Sequence, residues 1–381
     1  MKEGIKNIWL STEVMVVSDN KLWFAEIDSN EVYSYDIKTR KCSLVCSIAE
    51  EEKAGKRLFG AIVSQDEFLY LFPFSAKSAY KVNKYTGHVK RIPIKEPRQP
   101  FATNYRSDKK FFSAIAYEDS IFAVGCTFPS ILEYRIQTGD VIYHDKIFEE
   151  IRPYIRDNAG VLFRKVFCRE GRMYAPLCCG NAVLVFDLAA GSHRIYEVGT
   201  EQCRFVSICF DGQAFWLAPH GNNLIVRWYE ESNAYDIHDV SQQGIEEGVY
   251  NDIVYYRNEV ILLPGKTNAF LKINRTDEFN IQFERVLCDW PNITQCLTEG
   301  ILYLFSSKDA VLIVAREDGN TIETHRIEKI VGVLEGQGRG KYIYEGKYER
   351  VKAFEEYVAG ENMRSVIVQK PMGIKVWEMV K

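Results

Sequence analysis

The stretch DNKLWFAEIDSNEVYSYD, residues 19–36, reads as strand, break, strand. Asp19-Asn20 signals a turn, KLWFAEI is rich in aromatic and β-favouring residues, and Ser29-Asn30 breaks the run before EVYSYD resumes it. Anchored on Trp23, the phrase returns six times. QDEFLYLFPFSAKSAYKVN carries it with Tyr70, EDSIFAVGCTFPSILEYRI with Phe122 and EGRMYAPLCCGNAVLVFDL with Tyr174. DGQAFWLAPHGNNLIVRWY supplies Trp216, RNEVILLPGKTNAFLKIN supplies Leu262, and EGILYLFSSKDAVLIVARE supplies Tyr303. The period is roughly 47 residues.

Each copy has a further strand on either side. The first reads VMVVS, KLWFAEI, VYSYDI, CSLVCSI, and later fourth strands include HVKRIPI, VIYHDKI, SHRIYEV and TIETHRIE. Four short antiparallel strands every 40–50 residues are the mark of a propeller blade, whose large apolar second-strand residues pack between neighbouring sheets. The sequence therefore predicts an all-β fold: a seven-bladed β-propeller of four-stranded antiparallel blades, with a short α/β C-terminal tail. The propeller is expected over 14–328, between an N-terminal segment 1–13 and a tail 329–381. In the tail, Val351, Phe354 and Val358 share one helical face and Gly360 is a stop. Such a tail packs on the propeller and helps lock its closure, or alternatively docks a partner.

The phrase DxxLWFxxxxxNxVxxYD resembles the repeats of the kelch, NHL and streptogramin-lyase-like propeller superfamilies, over roughly residues 14–328. The chain has no kelch double glycine, no series of WD dipeptides and no YWTD phrase, so the resemblance is one of architecture. Streptogramin-lyase-like enzymes pair His with Glu and a metal on one propeller face. By that resemblance His220 would take the histidine's part, with Asp252, Glu246 or Glu247 as acidic company.

Composition narrows the function classes. A net charge of −4 gives no case for nucleic acid, which calls for a strongly basic domain. No apolar run reaches signal-peptide or transmembrane length, so no membrane association is expected. The ten cysteines are scattered, several inside apolar strands, and no CxxC occurs. They read as reduced thiols of a cytoplasmic protein, without a metal site or cofactor.

Strand alternation sorts the loops. The first–second and third–fourth turns share one edge of the propeller, and they are short. The second–third loops and the connections between blades share the other, where AEEEKAGKRLFG, KEPRQPFATNYRSDKKFF and FEEIRPYIRDNAGVLF supply length and variety. Functional groups concentrate on long loops held by a rigid scaffold, so this is the candidate face. It carries Arg98, Tyr105 and Arg106 in the longest loop. Arg164, Arg204 and Asp252 stand at the starts of innermost strands, and Lys266 and Trp290 join them. An aromatic, basic channel mouth suits an anionic or sugar-like ligand. Five of six histidines (His88, His144, His193, His238, His325) fall at or in outermost strands and read as exposed or half-buried sheet residues. His220 alone lies on the candidate face. The PGKT at 264–267 lacks the first glycine of a phosphate loop, and GQGRG is followed by no apolar helix. Asn30, Asn181, Asn223 and Asn268 recur before third strands and read as turn residues with left-handed backbone.

The reading is a non-enzymatic cytoplasmic binding or scaffold module. It would take a glycan, an anionic small molecule or a protein segment at the channel mouth, through Arg98, Tyr105, Arg106, Arg164, Arg204, His220, Asp252, Lys266 and Trp290. The alternative is a lyase or glycan-active hydrolase with His220 as general base.

Overall fold

The computed structural model describes residues 6–331, apart from 52–56, 98–105, 157–160, 242–249, 266–268, 276–280, 288–291, 308 and 317–321. Seven four-stranded antiparallel sheets follow one another along the chain, each built from four consecutive strands. Blade 1 comprises Met15–Ser18, Lys21–Ala25, Glu31–Asp36 and Lys41–Ser47. The first strands of blades 2 to 7 are Phe59–Gln65, Phe111–Tyr117, Phe167–Arg169, Phe205–Phe210, Tyr250–Tyr256 and Ile293–Thr298. The protein is a seven-bladed β-propeller.

The opening hairpin shows why the pattern folds this way. Asp19 and Asn20 both take left-handed backbone, at φ 55° and 56°. That geometry matches the twist of the flanking strands, so Ser18 pairs with Lys21 across a two-residue turn. Blade 5 differs: its turn runs Asp211–Ala214, held by Asp211 Oδ1, which accepts the N–H groups of Gln213 and Ala214.

Seven apolar clusters fill the seven interfaces between blades. Trp23, Tyr70, Phe122, Tyr174, Trp216 and Tyr303 each lie buried in the interface with the following blade. Leu262 does not. It packs with Trp216 of the preceding blade, and Ile261 holds the equivalent place against Leu302 and Leu304. Side chains alternate between faces, so a one-residue slip in aligning the copies assigns the wrong face. A short helical segment spans 146–154, where Ile147, Phe148 and Ile151 join the interface between blades 3 and 4.

The ring closes between blades 7 and 1. Leu22, Phe24 and Tyr35 meet Tyr303, Phe305 and Val314, with Leu10 and Ile327 in the same cluster. Beyond them Lys6–Trp9 pairs antiparallel with Glu328–Val331, Lys6 opposite Val331. The rest of the tail, including the helix expected over 348–360, lies outside the described residues.

Four of the predicted outer-strand histidines, His144, His193, His238 and His325, do sit in fourth strands. His325 departs from the expectation of exposure: it is 2% exposed, inside the closing interface. Its Nε2 lies 3.0 Å from Glu323 Oε2, and its Nδ1 lies 2.9 Å from Tyr35 Oη. An ionised carboxylate can only accept, so Nε2 carries the proton and Nδ1 accepts the Tyr35 hydroxyl. Arg40 completes the group, 3.8 Å from Glu323.

Burial holds His325 below the ordinary histidine value of 6.5, outweighing the Glu323 hydrogen bond, and burial lowers His238 likewise. The unfolded chain therefore binds protons first as pH falls through about 6.5, so stability is lost on acidification. The melting temperature is expected to drop from pH 7 downward, and His325→Gln should flatten that drop. A variant with the same pH slope as the parent would assign the acid sensitivity to other groups.

Three of the recurrent asparagines, Asn30, Asn181 and Asn223, are not left-handed turn residues, being absent from the positive-φ positions, and Asn268 lies outside the described residues. The three tie blade exits instead. Their carbonyls accept the N–H of Ile48, Val198 and Val240, just past each fourth strand. The Asn30 amide also donates to the carbonyls of Ile48 and Glu51, and the Asn181 amide donates to Glu197.

Candidate functional site at the channel mouth

First strands of successive blades meet around the axis. In four of them the ladder is interrupted by one extra residue near the long-loop end: Gly60, Phe112, Val206 and Asn251. A bulge bends the strand and re-aims its side chains, and bulges are over-represented beside functional sites. Gly60 is required for space as well, since a Cβ there would lie 1.7 Å from the Phe111 carbonyl oxygen. Phe112 and Asn251, both bulge residues, belong to the cluster that fills the mouth.

Arg57 stands just ahead of the blade 2 strand, its guanidinium between the rings of Phe74 and Phe112, 4.8 and 4.7 Å from their centroids. Its Nη1 donates to Glu13 at the start of blade 1, and its Nε and Nη2 donate to the carbonyls of Phe59 and Gly60. Arg164, at the start of blade 4, reaches across the axis. Its guanidinium lies 5.0 Å from the Phe112 ring centroid, and Nη2 donates to Asn251 Oδ1 at 3.4 Å. Lys165 beside it places Nζ 3.9 Å from Asp252 Oδ2 of blade 6. Asp252 is 3% exposed. It accepts from the Ser207 hydroxyl of blade 5 at 2.5 Å, from the Ile253 N–H, and from Gln295 Nε2 of blade 7 at 3.4 Å. All seven blades contribute a residue.

Charge is concentrated here. Burial pulls Arg57 down to about 10, Arg164 adds to that effect, and Glu13 opposes it. Burial likewise lowers Lys165, with Asp252 opposing and Arg57 and Arg164 reinforcing. Among the described residues, three cations thus share one low-dielectric mouth with two carboxylates, although the whole chain is acidic.

Of the residues expected from sequence, Arg164 and Asp252 belong to this cluster. Arg204 is half-buried nearby and donates to the carbonyls of Glu201 and Cys203. His220 shares the face: its N–H bonds to the Arg204 carbonyl and its Nδ1 lies 3.1 Å from the Cys178 carbonyl. Arg106 is exposed and paired with Asp108 at 3.0 Å. Arg98, Tyr105, Lys266 and Trp290 lie outside the described residues, as do Glu246 and Glu247. Sequence reading missed Arg57, Glu13, Lys165, Phe112 and Ser207. The available signal was the phrase opening first strands, an aromatic followed by one variable and one small or polar residue: FGA, FFS, FVS, YND.

Among the described residues no group of three His, Cys, Asp or Glu could hold a metal ion. None of their helices is long and apolar enough to cross a membrane. None of the nine described cysteines is in a disulfide.

No family model matches the chain, and no curated protein sequence matches it. Solved structures do. A catalytically inactive virginiamycin B lyase from Staphylococcus aureus with quinupristin superposes at a TM-score of 0.58 and 11% identity, covering 80% of this chain and 96% of the lyase. A streptogramin B lyase gives 0.56 at 14% identity, over 80% of this chain and 95% of that one. A chain of a mitotic checkpoint complex gives 0.53 at 8% identity, over 84% and 91%. At such identities the likeness is one of fold.

Proposed function

We propose that this propeller is a non-catalytic binding or scaffold module that receives an anionic group at its channel mouth. A carboxylate- or phosphate-bearing segment of a partner protein fits best, and a free anionic metabolite or acidic glycan would use the same contacts. One observation carries the reading: among the described residues, Arg57, Arg164 and Lys165 converge there against Glu13 and Asp252. Arg57 is clamped by its carbonyl, carboxylate and ring contacts. Arg164, with one 3.4 Å hydrogen bond and one ring contact, is the group best placed to turn towards a ligand. Propellers also serve in protein assemblies, the checkpoint complex among them. The proposal includes a reducing, cytoplasmic setting, which nine described cysteines outside any disulfide support.

Calorimetry with pyrophosphate, citrate and a poly-glutamate peptide tests the reading. Binding should weaken with salt, and Arg164→Ala should cost about 1.5–3 kcal/mol of affinity, the scale of a hydrogen bond to a charged group. Failure of all three probes to bind would sink the proposal. His220 supports the enzymatic alternative to a limited extent. The Cys178 carbonyl can only accept, so Nδ1 carries the proton and Nε2 is the basic nitrogen. The His220→Ala variant should keep nearly all ligand affinity if the protein is a binder. An enzyme using it as base would lose about 10²–10⁴-fold in rate.

A further inference from the structure

Lys165 is placed unlike the other interior lysines. Lys84 pairs with Asp19 at 2.8 Å, Lys272 pairs with Glu259 at 3.0 Å, and Lys110 donates to the Ala76 carbonyl at 3.0 Å. Each amine is held by a short contact. Lys165 Nζ stands 3.9 Å from Asp252, too far for a direct hydrogen bond, and 28% of its side chain remains exposed. Its main chain is pinned, with the N–H bonded to the Val206 carbonyl. The amine reaches from blade 4 towards Asp252 of blade 6, and its chain neighbour Arg164 crosses to Asn251, the residue beside that carboxylate.

We infer that Lys165 is a nucleophilic amine that reversibly captures an α-oxo acid at the channel mouth. This rests on the anion-binding reading above and adds the ligand's second functional group, a carbonyl. The ligand carboxylate would sit on Arg164, which fixes the neighbouring carbonyl carbon near Nζ. The neutral amine adds to that carbon, and the carbonyl oxygen takes up a proton. The carbinolamine then loses water, leaving an imine between Nζ and the former carbonyl carbon. Amine plus ketone gives imine plus water, with no change of oxidation state. Asp252 is the carboxylate within reach to take and return the proton. Two guanidinium neighbours and burial favour the uncharged amine that this step needs, as in other lysines that form Schiff bases.

Lys81 provides an internal control. Burial and Lys90 lower its proton affinity too, yet it lies 3.8 Å from the Phe68 ring, in the third strand of blade 2 and away from Arg164. The test incubates the full chain with pyruvate and sodium cyanoborohydride, which reduces an imine to a stable amine, followed by peptide mass spectrometry. Lys165 should be the dominant labelled lysine, ahead of Lys81. The label should vanish in Lys165→Arg, which keeps the charge and so guards against misfolding. Arg164→Met should reduce labelling by pyruvate but not by acetaldehyde, which has no carboxylate. Labelling spread evenly over surface lysines, or unchanged in Lys165→Arg, would overturn the inference. If calorimetry shows anion binding while pyruvate leaves Lys165 unlabelled, the amine chemistry fails and the binding function stands. If neither occurs, both fall.

Discussion

Replacing Asp252 by Ala should destabilise the propeller by about 3–5 kcal/mol, among the largest effects of any single change in the channel. The carboxylate is buried, and its two oxygens join blades 4, 5, 6 and 7 through Lys165, Ser207, the Ile253 N–H and Gln295. Removing it leaves a cation and three donors facing a low-dielectric channel with no acceptor. Asp252→Asn separates geometry from charge. An amide oxygen still accepts from Ser207 and Ile253, so this variant should lose clearly less than Ala. Urea unfolding measures both. An Ala variant within about 0.5 kcal/mol of the parent, the range of ordinary surface changes, would mean that water already solvates the network.

Trp216→Ala is expected to cost about 3–5 kcal/mol as well, by a different route. The indole fills the interface between blades 5 and 6 with Val260, Leu262 and Leu271. It also stacks on His238, with ring centroids 5.9 Å apart, and its Nε1 donates to Asp211 Oδ2 at 2.8 Å. Truncation opens a cavity that rigid neighbouring sheets cannot fill, and it strips the blade 5 turn of a hydrogen bond. Trp216→Phe should recover most of the packing but not the Asp211 contact. A loss below about 1 kcal/mol for the Ala variant would show that the blades close over the gap.

The repeat was legible because blade stacking demands a large apolar side chain at a fixed distance from a tight turn. Trp23, Tyr70, Phe122, Tyr174 and Tyr303 meet that demand directly. Blade 6 misled because Val260, Ile261, Leu262 and Leu263 are all apolar, and a run buried on both faces carries no phase. The sharing of one face by the long loops followed from strand alternation alone, and the candidate site was sought there. The membership of the site did not follow. Arg57 is defined by Glu13, 44 residues away, and by two rings from other parts of the chain. Phe112 and Asn251 face their partners because of bulges, which leave only a faint mark in composition. The asparagines misled for a similar reason: a residue common in turns was performing long-range tethering.

The pairing of Lys6–Trp9 with Glu328–Val331 bears on how the ring comes together. Six interfaces join blades adjacent along the chain, so they can assemble in order as the polypeptide emerges. The seventh unites residues as distant as Tyr35 and His325, separated by 290 positions. Chain-closure entropy grows only with the logarithm of separation, so this last step costs about 1.6 kcal/mol more than joining neighbours. Among the described residues no blade borrows a strand from the opposite end of the chain, and the circle is latched by side-chain packing and the short ribbon. Strand-by-strand release would begin there, and the seam governs how long the closed protein survives before opening. Because Lys6 and Val331 face each other, a chain spliced across that ribbon and reopened between any two other blades should trace the same circle from a new origin.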